Sequence, residues 1–302
     1  MKKILTTLLI FFTVSVANAA QPLVEANWLK KNLKNKNIKV IEISSKFVGG
    51  SYDNFKQGHI PGSVYLDHIG DKLIVTKKNV IGQLPEKKDL EGIFSKLGVK
   101  NSDHIVISYL GVNSLDFGSA ARLYWTLKTS GHEEVSILNG GKKSWLSAGY
   151  ALEKGDHKIT ASKFRVKYNN KYDASYKDVR DAKRKRTNYA LIDARPKAFF
   201  TGEKKHPKIK RFGTIPTSVN IEEATIVDGA VRVKSADEIK AIFAKANVNG
   251  KEGYISYCNT GWFASTIWFA LSEVAQIPNV KLYDGSVAHW ELNPYNELVN
   301  GV

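Results

Sequence analysis

Tyr254-Ile255-Ser256-Tyr257-Cys258-Asn259-Thr260-Gly261-Trp262-Phe263-Ala264-Ser265-Thr266 reads as a short strand that runs into a tight turn and then into a helix. The run before the cysteine is β-branched and aromatic, Gly261 permits a turn, and the residues after it suit a buried helix. The same opening occurs earlier in the chain, where Ile107-Ser108-Tyr109-Leu110 answers Ile255-Ser256-Tyr257-Cys258. The correspondence extends outward in a fixed order. Val40-Ile41-Glu42-Ile43 and Gly58-His59-Ile60-Pro61-Gly62-Ser63-Val64 are matched by Leu191-Ile192-Asp193-Ala194 and Gly213-Thr214-Ile215-Pro216-Thr217-Ser218-Val219. Leu138-Asn139-Gly140-Gly141 with Trp145 is matched by Tyr283-Asp284-Gly285-Ser286 with Trp290. One unit is present twice.

Within each copy, short runs of Val, Ile and Tyr alternate with helix-like stretches, the pattern of an open, mostly parallel sheet flanked by helices in an α/β fold. In the second copy the expected strands lie near 190–193, 253–257 and 279–283. The expected helices begin near Ser175 and span 236–246 and Ala264 to Val274. Periodicity fades around Glu153-Lys154-Gly155-Asp156-His157-Lys158, so residues 20–150 and 173–302 are assigned to the two domains and 151–172 to a linker. Two such domains are expected to pack face to face around a cleft.

Residues 1–19 carry Lys2 and Lys3, an apolar run from Ile4 to Val16 and Ala17-Asn18-Ala19, which together read as an export signal cleaved after Ala19. The run is shorter than the ~20 residues that span a bilayer, so no stable membrane anchor is expected. The mature protein is expected outside the inner membrane, in the periplasm if the source has an outer membrane. The net charge of +16 would suit nucleic acid, anionic lipid or small anionic substrates. Its lysines are spread evenly, which favours a soluble basic surface and argues against nucleic-acid binding. Lys183-Arg184-Lys185-Arg186 reads as a solvated helix end.

Cys258 is the only cysteine. It cannot form an internal disulfide, so in an oxidising compartment it is either buried and inert or kept for its chemistry. Its place argues for chemistry. It stands at the carboxyl edge of a strand and just before a helix, where ligands bind in open α/β sheets and the helix field favours thiolate over thiol. Gly261 lets the backbone of residues 259–264 curl so that several N–H groups converge on one point.

The whole mature chain resembles the tandem-domain rhodanese family of thiosulfate and 3-mercaptopyruvate sulfurtransferases. The resemblance rests on the duplicated order of strand, Gly-His-Ile-Pro-Gly, strand ending in Cys258, the loop Cys258-Asn259-Thr260-Gly261, and Leu282-Tyr283-Asp284-Gly285-Ser286 with Trp290. It implies that the first domain is non-catalytic, with Leu110 in the cysteine's place. It also implies that Cys258 takes sulfane sulfur from thiosulfate, 3-mercaptopyruvate or a related small anionic donor as a persulfide, which the loop Asn259, Thr260, Gly261, Trp262, Phe263 and Ala264 would cradle. Cyanide, a thiol or a protein would then accept the sulfur. No metal or organic cofactor is implied, and the sequence has no cysteine and histidine cluster of metal-ligand spacing.

The departures from the family matter. Thr260 leans toward the mercaptopyruvate type, whereas Trp262-Phe263 replaces smaller residues and implies a different acceptor or a more enclosed site. The family pattern has a donor-binding arginine four residues after Arg195, and here that place is Phe199. Arg211 is a candidate replacement. Arg195 reads either as a donor-binding residue or as the structural partner of a carboxylate, and His59 either as facing the cleft or as a turn histidine bonded to backbone. Asp284-Gly285-Ser286, Trp145 and Trp290 read as fold-forming. Cysteine phosphatases of related architecture need an arginine six residues after the cysteine to clamp phosphate, and that place is Ala264. The lost clamp also keeps open a persulfide carrier or binding module that serves a protein partner without turnover on small acceptors.

Overall fold

Parallel strands that are covered on both faces need near-continuous apolar runs rather than alternating ones, and the two central runs of the first copy meet that requirement: Val40, Ile41, Ile43, Ile105, Val106 and Ile107 are all buried. A computed structural model describes residues 20–302 except 157, 230 and 249. The expected leader, residues 1–19, lies outside the described residues.

The first domain contains β1 (Leu23–Val24), β2 (Ile38–Ser44), β3 (Val64–Asp67), β6 (His104–Ser108) and β7 (Val135–Leu138), with a separate hairpin of β4 (Val75–Lys77) and β5 (Val80–Gln83). Its helices are α1 (Ala26–Asn32), α2 (Tyr52–Gln57), α3 (Lys87–Lys96), α4 (Ser114–Thr129) and α5 (Gly141–Ser147). The second domain contains β8 (Tyr189–Asp193), β9 (Val219–Asn220), β10 (Gly253–Tyr257) and β11 (Val280–Leu282), with α6 (Tyr176–Lys183), α7 (Lys197–Phe200), α8 (Ala236–Lys245), α9 (Trp262–Trp268) and α10 (Ser286–Trp290).

The duplication is visible in the pairing. The parallel order β7-β6-β2-β3 is reproduced as β11-β10-β8-β9. β1 extends the first sheet at β7, and a single parallel bridge between Asp173 and Leu282 marks the same place beside β11. Trp145 and Trp290 play equivalent parts, each donating its indole N–H to the carbonyl of the segment that leaves its domain, Ala151 at 3.0 Å and Glu297 at 2.9 Å. Ser175 and Ser235 cap α6 and α8 through capping boxes with Asp178 and Glu238, which explains why both helices start where the sequence predicts. The expected helix from Ala264 to Val274 starts two residues earlier, and its second half, Phe269–Val274, is a π-helical turn.

The domains meet face to face through α4 and α9. From Asp116 to Thr129 every residue of α4 is buried, because the helix packs on its own sheet and against the other domain. Phe269 meets Phe117 and Tyr124 edge-on, with ring centroids 5.8 and 4.9 Å apart. The Tyr124 hydroxyl donates to Glu273 across the same interface at 2.8 Å. The hairpin is the first domain's second reach. Its turn residues Lys78 and Asn79 both have positive φ, 47° and 67°, as a two-residue hairpin turn requires, and Val80 packs into the second domain's core beside Leu191, Ile255 and Tyr257.

Candidate active site

Cys258 follows β10 directly, at the carboxyl end of a strand flanked by parallel neighbours on both sides. Its own backbone is fixed from below. The Cys258 N–H donates to Ser286 Oγ at 3.1 Å, and that hydroxyl donates to the Tyr283 carbonyl at 3.0 Å. Val287 and Ala288 donate their N–H groups to the carbonyls of Cys258 and Asn259, both at 3.1 Å. The Asp284-Gly285-Ser286 turn, read from sequence as fold-forming only, therefore holds the cysteine loop as well.

Above the strand, the Thr260 N–H points at Cys258 Sγ, 3.4 Å away. Gly261 turns the chain at φ 83°. A Cβ there would stand 2.7 Å from Arg122 Nη1 and 3.1 Å from Asp284 Oδ1, so the turn needs glycine for both its conformation and its neighbours. Arg122 comes from α4 of the first domain. It donates to Asp284 Oδ1 at 2.5 Å and to the Gly82 carbonyl at 3.1 Å, while the Leu84 N–H donates to Asp284 Oδ2 at 2.7 Å. This pair, with Arg122 buried, ties α4, the hairpin and the turn beneath the cysteine into one unit.

Arg195 is the structural partner of a carboxylate. Its Nε and Nη2 engage both oxygens of Asp193, at 2.9 and 2.6 Å, and Nη2 also donates to the Gly213 carbonyl at 2.9 Å. Its Nη1 donates to Asn259 Oδ1 at 3.3 Å, which positions the residue after the cysteine. Burial alone would lower the guanidinium pKa; Asp193, and to a lesser degree Tyr257 and Cys258, outweigh it and raise it.

A cavity of about 570 Å³ opens over the cysteine between the domains. Cys258, Asn259, Thr260, Trp262 and Phe263 line it from the second domain. Gly261 and Ala264 lie beneath, both buried. The opposite wall is mostly apolar and comes from the first domain: Phe47, Ile69 and Leu115, with Ile74, Val75 and Ile81 from the hairpin region and Thr76 as its polar residue. Trp262 stacks on His68, centroids 4.2 Å apart and planes within 10°. His68 is fully buried, and burial together with the nearby Arg122 lowers its pKa to about 3, so the stacked ring is neutral. Trp262 also lies against Gly118, where a Cβ would come within 3.1 Å of the indole.

Three expected substrate-binding residues are not among those that line this cavity. His59 is buried in the first domain, stacked on Phe55 at 4.0 Å, with Nδ1 bonded to the Phe55 carbonyl at 2.9 Å and Nε2 3.7 Å from Glu153. Its ring closes the end of α2 and holds the segment that leaves the domain. Arg211 does not replace the arginine absent at Phe199; it donates to the carbonyls of Asn296 and Glu291, at 2.6 and 3.3 Å, and fastens the C-terminal segment. Arg195 reaches the cavity lining through its hydrogen bond to Asn259. The basic residue that does line it is Lys208, with His206 beside it. Sequence reading missed both because they sit in the lysine-rich stretch 203–211, where composition does not separate one lysine from the next.

The first domain shows what became of the matching loop. Leu110 stands in the cysteine's place, and the carboxylate of Asp116 accepts from the N–H groups of Leu110, Gly111 and Val112 at 3.4, 2.7 and 3.1 Å. A side chain of the protein itself occupies the cradle there.

The comparisons agree with this geometry. The family model described as Rhodanese-like domain matches residues 25–148 and again 175–293. The chain is 31% identical over 272 residues to the 3-mercaptopyruvate sulfurtransferase of Escherichia coli K12, covering 88% of this chain and 94% of that protein. It is 28% identical over 277 residues to the sulfur carrier protein TtuD of Thermus thermophilus, covering 89% of this chain and 93% of the relative. The crystal structure of SseA from Escherichia coli, a 3-mercaptopyruvate sulfotransferase by its description, superposes with a TM-score of 0.78 at 30% identity, covering 88% of this chain and 99% of that one. The anaerobic ergothioneine biosynthesis enzyme from Chlorobium limicola shares the fold, with a TM-score of 0.79 at 22% identity, over 93% of this chain and 70% of its own. With two rhodanese-like domains, a cysteine on the loop of only the second, and sulfurtransferases as relatives over nearly its whole length, this chain belongs to the rhodanese family as a tandem-domain sulfurtransferase.

Proposed function

We propose that Cys258 is the sulfur-carrying nucleophile of this enzyme and that it moves sulfane sulfur from thiosulfate, 3-mercaptopyruvate or a related small anionic donor to cyanide or a thiol. The observation that carries the reading is the contact between the Thr260 N–H and Cys258 Sγ at the floor of the interdomain cavity. The Cys258 thiolate attacks the outer sulfur of the donor. A Cys258 S–S bond forms, the donor's bond to that sulfur breaks, and sulfite or pyruvate departs with the electron pair, pyruvate taking its proton on carbon. The acceptor then attacks the outer sulfur, and the pair in the Cys258 S–S bond returns to Sγ.

The N–H groups of residues 259–264 stabilise the persulfide anion without reorganising. Arg195 and Asp193 keep Asn259 in place, and Arg122 and Asp284 hold Gly261. Incubation with each donor, followed by intact-mass measurement and addition of cyanide, tests the reading. A gain of about 32 Da that cyanide removes is expected; its absence from a free thiol contradicts it.

A second reading has the persulfide held for a dedicated protein acceptor. It is favoured by the similarity to a relative named as a sulfur carrier protein and by the lack of an arginine at Phe199. Full loading with negligible turnover on small acceptors is its signature. Export is also proposed, from Lys2, Lys3, the apolar run and Ala17-Asn18-Ala19; N-terminal sequencing of the mature protein should begin at Ala20.

A further inference from the structure

Hydrogen bonds from the second domain hold Cys258 and Asn259 from below, through Ser286, Val287 and Ala288. The residues that follow are met by the first domain. Gly82, near the end of β5, is buried and has φ 82°. A Cβ there would collide with the Thr260 carbonyl oxygen and stand 2.7 Å from the Thr260 Cβ, so only a residue without a side chain lets the hairpin lie against the Thr260 backbone. The hairpin cannot retreat, because it is anchored on both sides of this contact. Val80 is packed in the second domain's core, and the Leu84 N–H donates to Asp284 at 2.7 Å. The Gly82 carbonyl itself accepts from Arg122 at 3.1 Å.

A second contact lies two residues on. Gly118, inside α4, leaves a notch in which a Cβ would stand 3.1 Å from Cδ1 and 3.2 Å from Nε1 of Trp262. Glycine is a poorer helix former than alanine, and the indole takes the space that it leaves. The Trp262 indole N–H and both ring nitrogens of the stacked His68 have no hydrogen-bond partner among the described residues, so shape seats this ring. We infer that the first domain aims the cysteine loop: Gly82 against Thr260 and Gly118 against Trp262 are positioning residues that fix the Thr260 N–H on Cys258 Sγ and the start of α9 behind it. The inference rests on the sulfur-transfer reading and gives the first domain a part in it. Gly82 also lines the cavity, so rate and donor affinity are read separately.

The test is single-turnover loading of the full chain by thiosulfate or 3-mercaptopyruvate, whichever loads the wild type, with quenched samples read by intact mass over a range of donor concentrations. Gly82→Ala should lower the limiting rate by roughly ten- to a hundredfold, the order expected for a displacement of about 1 Å near a reacting centre, and leave the half-saturating donor concentration within about twofold. Gly149→Ala is the control. That glycine has nearly the same backbone, φ 79°, with nothing within 4 Å of the Cβ position, so alanine there carries the conformational strain without the contact. It should load at the wild-type rate.

Gly118→Ala puts a better helix former into α4 and should lower the limiting rate by roughly threefold, because the indole has to give by only a few tenths of an ångström. It decides the question if Gly82→Ala does not fold. An unchanged limiting rate in a folded variant overturns the inference for that glycine. An equal loss in Gly149→Ala, or a loss confined to the half-saturating concentration, overturns it altogether, while the wild-type adduct leaves sulfur transfer standing. A wild type that takes up no sulfur on a free thiol overturns both.

Discussion

Asp116 and Ala264 occupy equivalent places, six residues after Leu110 and Cys258 respectively, and the carboxylate of Asp116 accepts hydrogen bonds from the loop N–H groups of Leu110, Gly111 and Val112. The loop of the first domain thus holds a carboxylate of its own chain. Ala264→Asp should place the same carboxylate in the active loop, with the first domain as proof that the geometry is attainable. Sulfur loading of Cys258, followed by mass, should slow by roughly a hundredfold or more, the scale of losing preorganised donors. An unchanged loading rate in a folded variant would contradict the assignment of those N–H groups.

In the first domain itself, Asp116→Ala removes the acceptor of those same N–H groups. Buried polar groups left unpaired cost about 1–3 kcal/mol each. Urea denaturation should show a loss in that range, with Asp116→Asn, which keeps one carbonyl acceptor, losing less.

Arg122 and Asp284 bridge the domains beside Gly261; Arg122 is buried and Asp284 only partly so, and breaking a fully buried pair costs about 3–5 kcal/mol, an upper bound for this one. Arg122→Gln should lower both stability and the rate of sulfur loading. Asp284→Asn added to it should cost less than its effect alone, because the uncompensated charge is gone. Strictly additive losses in the double-mutant cycle would show that the two residues act separately.

Glu223 contributes a pH dependence. Burial raises its carboxyl pKa to about 7, while the Ser114 hydroxyl, bonded to it across the domain interface at 3.2 Å, opposes the rise. The folded state therefore binds a proton that the unfolded chain releases near the ordinary carboxylate range. The stabilisation is fully present below that range and is lost as pH rises through about 7. Denaturation curves at pH 5 and pH 8 should show Glu223→Gln gaining stability relative to the wild type between them, chiefly by being the more stable of the two at pH 8.

The sequence announces what is local or repeated. Cys258 is legible because it is the only cysteine and ends a strand whose twin ends in Leu110, and the sheet order follows from the duplication. The capped starts of α6 and α8 follow from Ser-x-x-Asp and Ser-x-x-Glu spacing. The walls of the site were not legible. The hairpin that carries Ile81 and Gly82 belongs to the first domain but serves the second, and nothing near Arg122 in sequence points to Asp284, 162 residues away. His59 lies in the Gly58–Gly62 turn, yet local packing on Phe55 decides where its ring goes. Arg211 and Lys208 are near neighbours in one basic stretch, and only the fold separates the fastener from the residue at the cavity.

Sulfur on Cys258 is the most direct test of the whole account. Purified protein and Cys258→Ser are each incubated with thiosulfate and with 3-mercaptopyruvate, and intact masses are taken before and after cyanide. The account predicts a gain of about 32 Da on the wild type alone, removed by cyanide. A free thiol that gains no mass with either donor, or an equal gain on Cys258→Ser, would contradict it.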